Sequence, residues 1–164
     1  MPAQVIPHVS RSRRRFLANA LRLIGGAGVA WTAMARPAGA TSEAMQEAIR
    51  KTVGAGTPQV GRVRLDIPPL VENGNAVPVT VSVDSPMTAE DHVTAIHLFN
   101  EKNPQPYVLS VSLGPRAGRA AFSTRIKLAD SQTVMAIARM NDGSLWSAGA
   151  DVIVTIAACV EDVP

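Results

Sequence analysis

The chain of 164 residues has room for one domain and a leader, and its 46% hydrophobic content is enough to build a core. Aromatic residues make up only 4%, which argues against a base-stacking nucleic-acid surface. Six of the 16 basic residues lie in residues 1–40, where there is no acid; the remaining ten face 13 acids, so the rest of the chain has no electrostatic reason to bind nucleic acid.

Residues 1–40 read as an export signal. Ser12-Arg13-Arg14-Arg15-Phe16-Leu17 is followed by an apolar run to Met34, interrupted by Arg22 and three glycines, and then by Ala38-Gly39-Ala40. A basic start, an apolar middle and a small-residue cleavage motif formed by Ala38 and Ala40 make a secretory signal. The pair Arg13-Arg14 before Phe16-Leu17 resembles a twin-arginine signal, which implies periplasmic export of a folded protein. The apolar run is short for a bilayer span, so no membrane span is expected in the mature chain.

Residues 41–57 read as a helix and linker. Thr41 or Ser42 can cap the helix, Glu43 lies in its first turn, and Arg50-Lys51 in its last turn suit the dipole. Met45, Ala48, Ile49 and Val53 fall on one face. Packing against the domain is the expected use of that face.

From residue 58 to 156 the pattern changes to period two. Candidate strands are 62–67, 77–83, 93–100, 107–113, 119–128, 133–140 and 145–156, separated by turn chemistry such as Glu72-Asn73-Gly74-Asn75 and Asp142-Gly143. The second of these is the sharpest hairpin signal. About seven short strands predict an all-β, immunoglobulin-like β-sandwich preceded by one helix.

Catalytic and metal motifs are sparse. There is no phosphate-cradling glycine loop and no nucleophile elbow; no cofactor and no metal site is predicted. His92 and His97, five apart, are expected on opposite sides of one strand as surface histidines. Asp66, Glu72 and Asp84 read as solvated carboxylates, and Met87, Met135 and Met140 as core filler.

Residues 157–164 form a short arm around the only cysteine, Cys159. A lone cysteine in an oxidising compartment has no internal partner, so it makes an intermolecular link or works as a free thiol. Placed just past the last strand, it reads as accessible; a tail folded back over Ala157, Ala158 and Val160 is the competing reading. A thiol oxidoreductase would need a resolving cysteine or an adjacent basic activator, and neither is present in the sequence around it.

Leu65-Asp66-Ile67-Pro68, Glu72-Asn73-Gly74 leading into Val77–Val81, Asp84-Ser85-Pro86-Met87-Thr88, His97–Pro104, Ser123–Ile126 and Met140–Trp146 together resemble the SoxY sulfur carrier family of periplasmic thiosulfate oxidation, in order and with similar spacing. The resemblance implies a non-catalytic carrier. It implies a sandwich that pairs with a SoxZ-like sandwich subunit in a heterodimer, and an arm cysteine, here Cys159, that holds the sulfur cargo while partner enzymes act on it. The family arm reads Gly-Gly-Cys-Gly-Gly, whereas this chain has Ala157-Ala158-Cys159-Val160-Glu161, closer to a related subgroup with Ala-Ala-Cys-Ile-Glu. Each Gly-to-Ala exchange removes roughly 0.5–1 kcal/mol of conformational freedom. Val160 adds β-branched bulk. Glu161 and Asp162 add charge that repels an anion within about 8–10 Å. Against the carrier stands a second reading, a docking or structural subunit whose cysteine carries no cargo.

Overall fold

The computed structural model describes residues 41–159. The leader residues Arg13, Arg14, Ala38 and Ala40, and the arm residues Val160 and Glu161, lie outside them. Among the described residues there are one α-helix and nine strands in two sheets, an immunoglobulin-like β-sandwich. The strands are β1 (Gln59–Val60), β2 (Val63–Asp66), β3 (Leu70–Asn73), β4 (Val77–Val83), β5 (Val93–Asn100), β6 (Tyr107–Ser112), β7 (Ala120–Ile126), β8 (Gln132–Met140) and β9 (Leu145–Ile156).

The seven expected strands are all present. Of the two additional ones, β1 spans two residues, too short for period two to show in a sequence, and β3 spans four, of which the last two were read as a turn. Both run parallel to β9 along the edge that β8 leaves free: β1 against Trp146-Ser147, and β3 against Ile153–Ile156. Glu72-Asn73, read as turn residues, belong to β3; the turn itself is the 3-10 segment Gly74–Ala76.

The larger sheet runs β1-β9-β8-β5-β6, with β3 also on β9, and the smaller β2-β4-β7. Between them lies the main core. Val77, Val79, Val81 and Val83 of β4 all point inward. They meet Ile96 and Leu98 of β5, Val134, Ala136, Ala138 and Met140 of β8, and Val152 of β9. Fully burying one such aliphatic side chain contributes about 1.5–3 kcal/mol, so this interface dominates the stability. The Asp142-Gly143 turn joins β8 to β9 as its sequence signals. Gly143 takes φ 86°, where a Cβ is disfavoured, and Asp142 Oδ1 accepts from the Ser144 N–H at 2.8 Å.

The outer face of the larger sheet is also covered. Helix α1 (Ser42–Val53) places Met45, Ile49 and Val53 against Phe99, Ile137 and Leu145. Thr41 Oγ1 accepts from the Ala44 N–H and caps the helix as expected. Twelve residues make a marginal helix in water, so this apolar stripe is what keeps it formed. At its far end Arg139 of β8 donates to the Thr52 carbonyl.

His97 is buried, contrary to its expected surface position. β5 is covered on both faces, and its bulge between Val93 and Ala95 interrupts the alternation on which the His92–His97 comparison rested. The ring lies 6.4 Å from Phe99 and 6.5 Å from Tyr107, and neither nitrogen has a hydrogen-bond partner. Met87 and Met140 are core residues, as read, and Met135 is half-buried beside the helix.

The end of the sandwich near the arm is closed by one close approach. The Leu128 N–H donates to the Gly74 carbonyl, and the Leu128 carbonyl accepts from the Ala158 N–H, each at 2.9 Å. A Cβ on Gly74 would stand 2.3 Å from the Leu128 oxygen and 2.9 Å from the Ala158 nitrogen. Only glycine fits there.

Two outcomes are expected. Replacing Gly74 by Ala should cost about 1–3 kcal/mol in chemical denaturation, because the clash is with backbone that cannot rotate away; wild-type stability in that variant would contradict the close approach. The second concerns His97, whose pKa is held below its ordinary 6.5 by burial first and by Arg139 second. The unfolded chain then takes up a proton that the folded chain refuses. The stability contributed by neutral His97 is therefore full above pH 6.5 and falls as pH drops below it. Denaturation at about pH 7.5 and about pH 5.5 should show this loss, at no more than about 1.4 kcal/mol per pH unit for one proton. His97→Leu should flatten the slope by that share, and an unchanged slope would refute it.

Candidate functional site

The site is the place where three segments meet: the turn after β3, the exit of β7 and the arm after β9. β9 delivers the chain to this end of the sandwich, with Val152 buried and Val154 half-buried facing the core. Ala157 is exposed, Ala158 is buried, and Cys159 is exposed with a free thiol. The structure therefore divides the two readings of the arm. Its root, Ala158, packs down; the cysteine after it does not.

The main chain of Cys159 is held from both sides. Its N–H donates to Asn75 Oδ1 at 3.3 Å. Its carbonyl accepts a long hydrogen bond, 3.4 Å, from Lys127 Nζ. Asn75 is in turn oriented by Asn73, whose Oδ1 accepts from the Asn75 N–H at 2.9 Å and from Asn75 Nδ2 at 3.0 Å. This is the local side-chain-to-backbone bonding that asparagine favours in turns.

Asn75 and Lys127 were not among the residues singled out in the sequence. Asn75 had a visible signal in the turn Glu72-Asn73-Gly74-Asn75, but a turn signal does not say what the turn will touch. Lys127 had none: it lies 32 residues before Cys159, and only the sheet pairing brings it close. Lys127 also alters the electrostatic expectation. The carboxylates of Glu161 and Asp162 follow the thiol in sequence, while an ammonium reaches the cysteine's own peptide. A lysine ammonium has three donors, and one hydrogen bond leaves two for other acceptors.

Asp66, Glu72 and Asp84 are exposed, as expected of solvated carboxylates. Asp91 pairs with Arg62 at 2.9 Å, and Arg62 lies over the Trp146 ring at 5.7 Å, a structural tie across the opposite part of β9. Among the described residues no three or more His, Cys, Asp or Glu side chains gather as a metal site. Among them, too, no helix is long and apolar enough to cross a membrane.

A second surface feature lies on the same edge of the larger sheet. Leu70 and Ile153 are direct register partners, each 61% exposed, on the face opposite to core residue Val71. Ile156, three residues further along β9, is also exposed, on the other face of the strand.

The exposure of Cys159 has a direct check. Iodoacetamide should alkylate the native protein at a rate within about threefold of the unfolded chain, since an accessible thiol reacts without prior opening. Protection by several orders of magnitude would mean a buried sulfur.

Known proteins place this geometry in a family. The family model described as sulfur oxidation protein SoxY matches residues 49–159. Among solved structures, the sulfur carrier protein SoxY from Chlorobium limicola f thiosulfatophilum superposes with a TM-score of 0.60 at 28% identity, covering 71% of this chain and 100% of that one. A superoxide reductase (neelaredoxin) from Ignicoccus hospitalis gives a TM-score of 0.52 at 23% identity, covering 57% and 80%, a likeness of fold alone. No curated protein sequence matches. With two thirds of its length matched, from the middle of the helix to the cysteine, the chain belongs to the SoxY family.

Proposed function

We propose that this protein is a periplasmic sulfur carrier and that Cys159 is the attachment point of its cargo. The observation that carries the reading is an exposed free cysteine, directly after a docked alanine, on a chain of the SoxY family. The similarity to a solved protein described as a sulfur carrier supports it. Residues 1–40 act as a twin-arginine leader, read through Arg13-Arg14 and cut after Ala38-Gly39-Ala40. Ala157, Ala158, Val160 and Glu161 flank the thiol on the arm, residues 157–164.

The chemistry assigned to the chain is limited. Loading forms one S–S bond between Cys159 Sγ and the sulfur of an anionic cargo. The thiol proton leaves to solvent, and two electrons pass to an electron-accepting partner enzyme. The sequence has no second cysteine to take those electrons, so oxidation belongs to the partner. The chain contributes presentation of the sulfur. Reduction of the bond by an added thiol reverses loading by exchange at sulfur. A SoxZ-like sandwich subunit is the proposed structural partner. The exposed Leu70–Ile153 pair offers apolar surface to such a subunit, because exposed apolar clusters favour burial in interfaces.

The test is the intact mass of the mature protein, purified with its partner from cells using reduced sulfur compounds, before and after reductant. A reductant-labile adduct that Cys159→Ser abolishes is the expected result, and its mass names the cargo. A bare thiol under every such condition, or a quantitative Cys159 disulfide dimer indifferent to sulfur supply, would leave a docking subunit instead.

A further inference from the structure

The hydrogen bonds that hold the arm begin in the core. Asn103 and Gln132 are buried amides, 9% and 5% exposed. Asn103 Nδ2 donates to the Lys127 carbonyl at 2.9 Å, and its Oδ1 accepts from the Ala129 N–H at 3.0 Å and from Gln132 Nε2 at 2.9 Å. Gln132 also accepts from the Lys102 N–H at 2.8 Å and donates to the Asp130 carbonyl at 3.0 Å. A buried amide is costly unless its donors and acceptors are used, and a connected network of this kind fixes the backbone it touches. What it touches are the residues on both sides of Leu128. The Leu128 carbonyl is the group that receives the Ala158 N–H. One step further out, Asn75 Oδ1 receives the Cys159 N–H.

We propose that Asn75, supported by the Asn103–Gln132 pair on either side of Leu128, is a positioning residue for the thiol. It extends the rigid sandwich as far as the amide of Cys159, so the sulfur is displayed from a fixed point. Deeper insertion into a partner's site requires release of that amide. Its meaning for cargo transfer rests on the carrier reading of Cys159. The geometry explains why alanine is compatible with this arm: Ala158 is docked through its N–H with its methyl buried, and Ala157 precedes the docked segment.

The experiment is residue-resolved amide hydrogen exchange on the full chain, comparing wild type with Asn75→Leu, Asn75→Asp and Asn103→Ala. The sequence beside Cys159 is unchanged in all of them, so its intrinsic exchange rate is the same. Asn75→Leu removes the acceptor; the Cys159 amide should exchange about three- to tenfold faster, the range of one net hydrogen bond. Amides of β5 and β8 should keep their rates. Asn75→Asp retains an acceptor oxygen and should restore most of the protection, which a merely structural effect of the substitution would not do. Asn103→Ala should speed exchange at Ala158 and Cys159 together; if it fails to fold, the two Asn75 variants carry the test alone. A Cys159 amide equally fast in wild type and Asn75→Leu overturns the proposal. So does an Asn75→Asp variant as fast as Asn75→Leu. None of these readings needs cargo. Asn75-dependent protection beside a permanently bare thiol would support positioning while refuting the carrier reading.

Discussion

The structure depends on the face-to-face burial of β4 against β5 and β8. Val77, Val79, Val81 and Val83 alternate with exposed or half-exposed residues, so β4 has one face to bury, while β5 has two. That difference sets the layers. β5 and β8 become the middle of the molecule, with the small sheet on one side and helix α1 on the other. His97 is buried for the same reason. It faces the helix side of a strand that has no solvent face, and its neutral ring fills space among aromatic neighbours.

The arm inherits its geometry from this arrangement. β9 follows from β8 through a tight turn and cannot shift register without turning its core face outward. Its end therefore arrives beside Gly74 and Leu128 at a fixed position. The absence of a side chain at Gly74 lets three backbones meet, and the amide network at Asn103 and Gln132 keeps the middle one in place. A surface cysteine is thus connected to the core in two stages: main-chain bonds run from Gly74 through Leu128 to Ala158, and the side chains of Asn75 and Lys127 hold Cys159 itself.

Much of this was legible in the sequence. Period-two runs with turn residues between them marked seven of the nine strands, and Asp142-Gly143 marked the hairpin that aims β9. The helix was legible from Thr41 to Val53 because cap, charge and apolar spacing agree. β1 and β3 were not, because two residues carry no period and β3 ends in residues with turn chemistry; both pair along the edge that β9 offers. His97 was misplaced because a strand's alternation says which residues share a face and not whether the far face is covered. At the site the cysteine was readable from its singularity and position. Asn75 and Lys127 were not, since what joins them to Cys159 is the meeting of segments 84 and 32 residues apart. The resemblance to SoxY named the family without pointing to either.

The pairing of β9 also has a mechanical side. It is bonded in two successive stretches, to β8 antiparallel over Leu145–Val152 and to β3 in parallel over Ile153–Ile156, and the ladder bonds lie across the strand direction. A pull on the sulfur runs along β9 and loads those bonds together in shear, where peeling would break them one at a time. Under a load applied at Cys159, the strand behind it therefore resists being drawn out of the sheet.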